Sequence, residues 1–123
     1  MEVDRVIADA ERLLPGKPVD EGEDPRWQAI IAIAEFIETD PEPVWSFIAR
    51  WGIHEREDLQ AAIATVLLEH LLEYHFDEFF PRVEQLVLAN KQFANTFSRC
   101  WKFGEAQRPE NSERFDSLKS RYS

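Results

Sequence analysis

Four neighbouring side chains have the types that do chemistry: Glu69, His70, Glu73 and His75. Imidazole and carboxylate together can bind a divalent metal or exchange a proton. On a helix Glu69 and Glu73 (i, i+4) share a face, and His70 and Glu73 (i, i+3) adjoin. His75 lies five residues past His70, which turns it about 140° off that face. The plainer reading is that His70 packs at the edge of a core and the acids face solvent.

Other sites are poorer. The order His70, Glu73, Tyr74, His75 puts Tyr74 where the His-x-x-Glu-His metal pattern needs its second His. Cys100 is the sole cysteine, set beside Phe97, Arg99 and Trp101. Arg99 could lower a thiol pKa, yet a Cys among aromatics is usually an inert small hydrophobe. Glu35, between Ala34 and Phe36, reads as the polar edge of a helix. With only four Gly in the chain and no Gly-rich loop opening a helix, no phosphate-cradling motif is present. The expectation is a protein without catalysis, cofactor or metal; a metal-binding enzyme around His70, Glu73 and His75 is an alternative.

The elements that would position these residues are helices. Val3, Val6, Ile7, Ala10, Leu13 and Leu14 keep helical spacing up to Pro15-Gly16. Asp24-Pro25 and Thr39-Asp40-Pro41 each give an N-cap followed by Pro at the first helical position. The first opens a helix with Trp27, Ile30, Ile31, Ala34 and Ile37; the second opens one with Val44, Trp45, Ile48 and Trp51, closed by Gly52. Further helices are expected over 57–74 and 77–89, the latter with Pro81 in its first turn. Another runs from the cap Asn90 through Phe93, Phe97, Cys100 and Trp101 to Gly104. Asn111 or Ser112 caps a last one with Phe115, Leu118 and Tyr122.

A repeat of period 32 runs through this pattern. Gln28 to Ala32 aligns with Gln60 to Ala64, Phe47 with Phe79, Ile48 with Phe80 and Arg50 with Arg82; one more step lands on Gln92. Two helices per ~32 residues is the size of units that stack into solenoids. The expected fold is all-α, an antiparallel array of six to seven helices in HEAT-like pairs. It forms a single domain: N-terminal helix and acidic loop (1–24), helical-pair core (25–104), C-terminal loop and short helix (105–123). At 123 residues, with 44% hydrophobic and 31% charged side chains, one globular domain is the natural size.

Charge sets the class of partner. The net charge is −10, which disfavours direct contact with nucleic acid or an anionic membrane. It is uneven: residues 1–80 hold 19 acids against 6 bases, and residues 81–123 hold 5 against 8. A lone Cys excludes an internal disulfide. The acidic start of the chain does not read as a signal peptide, and no apolar run approaches the ~20 residues of a membrane span. A cytoplasmic location is expected.

Residues 39–104 resemble a group of short bacterial all-helical proteins. The likeness rests on Asp40, Pro41 and Glu42 with Trp45, on the run Leu67 to Leu72, and on Cys100 to Phe103. Such proteins look like immunity proteins, which bind and neutralise a toxin made by the same cell. The resemblance implies a binding role and supplies no active site.

Under the 32-residue period the turns at 38–42 and 75–78 share one rim of the stack. The residues expected to meet a partner are Glu38, Asp40, Glu42, Trp45, Glu69, Glu73, Asp77 and Glu78. The acids would steer a basic protein such as a nuclease toxin, and Trp45 would anchor it. Trp27 and Trp51 are further candidates for partial exposure. Other readings are an acidic mimic of nucleic acid that blocks a DNA- or RNA-binding complex, and a helical adaptor or homodimer.

Overall fold

The computed structural model describes residues 2–14 and 24–122, with the Tyr122 side chain left aside. The expected stop at Pro15-Gly16 and the acids of 20–23 lie outside the described residues. All regular structure among those described is helical: α1 (Glu2–Leu13), α2 (Pro25–Ala34), α3 (Pro41–Trp51), α4 (Glu57–Ala62), a π-helical stretch (Ile63–Leu68), α5 (Glu69–Ala89), α6 (Lys91–Ser98), a 3-10 turn (Gly104–Gln107) and α7 (Pro109–Tyr122). Counting 57–89 as one bent rod gives six helices, in agreement with the all-α array expected.

Caps fix several starts. Asp24 accepts the Arg26 amide at 2.9 Å, and Asn90 accepts that of Phe93 at 2.9 Å. Buried Arg26 also bridges Asp24 and Asp58, each at 2.9 Å, tying the start of α2 to that of α4. Asp40 makes no side-chain cap bond; its carboxylate takes the Thr39 hydroxyl instead. α7 starts at Pro109, ahead of the expected Asn111 or Ser112.

The 32-residue period is visible in the packing. Arg50 on α3 reaches back to Glu11 on α1, with two bonds of 3.2 Å. Arg82 on α5 does the same to Glu42 on α3, with two bonds of 2.8 Å. Another 32 residues on, Arg114 of α7 lies over the Phe80 ring of α5, 4.9 Å from its centroid. Each second helix of a pair thus grips its predecessor from the same place. In the other row, Gln60 donates to the Gln92 side chain at 3.1 Å, joining α4 to α6. Between the rows runs a column of rings: Phe76 on Phe80 (4.5 Å), Phe80 on Phe97 (6.4 Å) and Phe97 on Phe115 (4.9 Å). All four rings are buried.

Two departures from the expected helices matter for function. The break expected at 75–76 is a kink: His75 has φ −137°, ψ 43° within α5. Pro81 therefore sits in the second turn after the kink, not the first. The helix expected to reach Gly104 stops at Ser98, and the chain continues without helix through 100–103. Trp101, expected in the core of that helix, is 70% exposed, the most exposed large apolar side chain described.

Candidate protein-docking face

The kink and the turn before α3 are built against each other. Residues 35–37 tighten into i→i−3 bonds as α2 ends. At the kink, the Phe76 amide donates to Glu105 Oε1 at 3.1 Å. The His75 Nε2–H donates to the Ile37 carbonyl at 3.0 Å; a carbonyl only accepts, so Nε2 carries the proton. The 38–42 and 75–78 turns therefore lie together.

The carboxylates at this place are not alike. Glu38, Asp77 and Glu78 are exposed, and none makes a hydrogen bond or ion pair among the described residues. Glu42 is exposed but engaged by Arg82, whose hydrogen bonds hold its pKa below the usual carboxylate range. Asp40 is half-buried. Glu73 takes the His70 ring at Nδ1, 2.8 Å away. Glu69, expected on the docking surface, is buried at 5% exposure and does not face a partner. Its Oε2 accepts the Trp101 amide at 2.9 Å. Burial raises its pKa, against the pull of that amide, His70 and Lys119. Trp45, the expected anchor, is half-buried between Phe79 and Phe93 at 6.2 and 6.1 Å. Trp27 and Trp51 are likewise half-buried against the core.

A second group of side chains adjoins this rim, and periodicity alone missed it. His70, Glu73 and Tyr74 share a face of α5, one turn from end to end. Phe103 stacks on the His70 ring, 5.5 Å between centroids and 21° between planes. Trp101 stands next along the chain, held by Glu69 through its amide and capped on its ring by Lys119 Nζ at 5.6 Å. Tyr74 is 44% exposed, and its pKa is raised by Glu73 and then by Glu38. Phe103 stacked on His70, Tyr74 one turn further along α5 and Trp101 two residues before Phe103 make up one aromatic band beside Glu73. Gly104 makes this path possible. Its φ is +51°, and a Cβ there would stand 2.7 Å from Glu73 Cγ and from the Glu73 carbonyl oxygen. The one sequence signal was the spacing Trp101, Phe103, Gly104, which reads as an exposed extended step when no helix is imposed on it.

The geometry bears on the other chemistry considered. His75 is committed to Ile37 and does not join His70 and Glu73. Among the described residues no three His, Cys, Asp or Glu side chains are grouped to hold a metal ion. Cys100 is fully buried, its thiol directed at the Ala64 carbonyl (3.6 Å), and burial pushes its pKa well up, with Glu69 adding to the effect. A thiol so placed is no nucleophile. No described helix is long and apolar enough to cross a membrane. Compared with protein-family models, curated proteins and solved structures, the chain finds no match.

Proposed function

We propose that this chain is a non-catalytic acidic binding protein that neutralises a basic protein, in the manner of an immunity protein covering the cationic active-site cleft of a toxin such as a nuclease. The observation that supports this most is the rim where Glu38, Asp77 and Glu78 stand exposed with no hydrogen bond or ion pair among the described residues, Glu78 feeling only the field of Arg82, beside a run of exposed aromatic rings. Free carboxylates steer a cationic partner and speed its arrival, and rings next to them slow its departure. Occlusion needs no chemistry from the inhibitor, which fits a buried Cys100 and a His70 paired only with carboxylates.

The test is capture from native lysate with tagged chain, beside a Glu38→Lys/Asp77→Lys/Glu78→Lys variant. One abundant basic protein retained by the first and lost by the second is expected. Retention by both baits, or a partner of acidic charge, would refute the acidic docking face. A nucleic-acid mimic would instead capture several unrelated basic proteins, all released by moderate salt.

A further inference from the structure

We infer that the aromatic band of Trp101, Phe103, His70 and Tyr74 is an arginine-binding site, the place where an arginine-bearing segment of the partner is anchored. This rests on the acidic-binder reading and adds where the partner is held and by which side chain.

Large rings are seldom left in water next to one another unless something covers them. Here Trp101 is 70% exposed, Tyr74 44% and Phe103 37%. The charge at the border selects the occupant. The two lysines nearest the band are engaged: Lys119 donates to the Cys100 carbonyl at 2.6 Å with its Nζ 5.6 Å from the Trp101 ring centre, and Lys102 donates to Ser112 and Asp116 at 2.7 and 2.8 Å. The carboxylates are turned outward or half-engaged: Glu38 has no partner among the described residues, and Glu73 gives one oxygen to His70. A band of ring faces ending at carboxylates, one of whose rings already takes a cation from this chain, fits a cationic side chain.

Arginine fits better than lysine. A guanidinium is planar, stacks on a ring and forks a carboxylate at the same time, whereas an ammonium is a hydrated point charge. The chain already uses this arrangement internally. Arg82 lies 4.8 Å over the Phe79 ring while both its Nη atoms bind Glu42. The band presents the same pairing with the arginine left to the partner.

The experiment is amide and indole NMR of the full chain at physiological salt, titrated with hexa-arginine, hexalysine and hexaglutamate peptides. Hexa-arginine should shift the Trp101 indole and the amides of His70, Tyr74 and Phe103, and bind several-fold tighter than hexalysine. Trp101→Ala should weaken it about 5-fold or more, the scale of one cation–π contact. Phe103→Ala should act similarly, so that the result does not hang on one variant. Shifts confined to Asp77 and Glu78, with Trp101→Ala inert, would overturn the band as the anchor and leave the acidic reading standing. No cationic peptide binding anywhere would overturn both. Hexaglutamate shifting the band as strongly would overturn the choice of occupant.

Discussion

The stack of helices from α2 to α6 and the segment from 99 to 108 obey different rules. Along one row of the stack α3 grips α1 and α5 grips α3 through an equivalent arginine, Arg50 to Glu11 and Arg82 to Glu42, and stacked rings run from α5 into α6. Between Ser98 and Gly104 the chain forms no helix, and two rings come to the surface. The regular part holds geometry and the irregular part presents side chains, a division common to proteins whose loops are set by a rigid scaffold. The segment is nonetheless not loose. Glu69 holds the Trp101 amide, Lys119 the Cys100 carbonyl, and Glu105 the Phe76 amide at the kink.

The widest separation between the two regions should appear in their rings. Phe80 is fully buried between Phe76 and Phe97, so Phe80→Ala should cost about 3–5 kcal/mol in urea unfolding. Trp101→Ala, at 70% exposure, should stay within about 1 kcal/mol. Equal losses would mean that Trp101 closes the core and presents nothing.

The glycines should sharpen the comparison at a smaller scale. Gly52 has an ordinary φ, and the obstacle is space: a Cβ would stand 2.9 Å from the Phe93 ring. Gly52→Ala should cost about 1–3 kcal/mol by overpacking and leave peptide binding unchanged. Gly104→Ala should cost about as much through its left-handed backbone and the Glu73 carbonyl. It should also displace Phe103 and weaken hexa-arginine binding. Glu105→Ala comes next, at about 1 kcal/mol, because it leaves the Phe76 amide at the kink without an acceptor. Denaturation midpoints with a parallel peptide titration would separate these outcomes.

How far the sequence could be read follows from the same division. Helical period and Pro-marked starts located α1, α2 and α3 closely, because a local pattern decides each, with Asp24 capping α2 through its side chain. The period of 32 anticipated that the 38–42 and 75–78 turns meet, and Arg50 and Arg82 proved to be its working residues. What sequence could not weigh was competition between distant groups. Glu69 looks like any surface acid, yet the amide of Trp101, 32 residues away, draws it inside. Trp101 continues the spacing of Phe93 and Phe97, and only the end of α6 at Ser98 turns it outward. Nor does a count of acids tell which are engaged: Glu42 and Glu38 differ by one arginine contributed from α5.

That contrast between carboxylates gives the smallest effect and the most discriminating sign. Glu42 has its pKa lowered by Arg82, so its contribution is present above the unfolded carboxylate pKa and lost as pH falls through the folded one. Glu69 has its pKa raised by burial, so its contribution is present below the unfolded value and lost as pH rises through the folded one. The two substitutions should therefore tilt in opposite directions, Glu42→Gln below the ordinary carboxylate value and Glu69→Gln above it. Glu42→Gln should lose ground to the parent chain as pH rises, slightly and less so in high salt, since the pair is exposed. Glu69→Gln keeps an oxygen for the Trp101 amide and sheds the buried charge, so it should gain on the parent chain as pH rises above the ordinary carboxylate value. Urea midpoints at each pH would decide it. Slopes of the same sign would mean that Glu69 is solvated like the rim acids, and the Trp101 segment would then not be fastened to α5 as described.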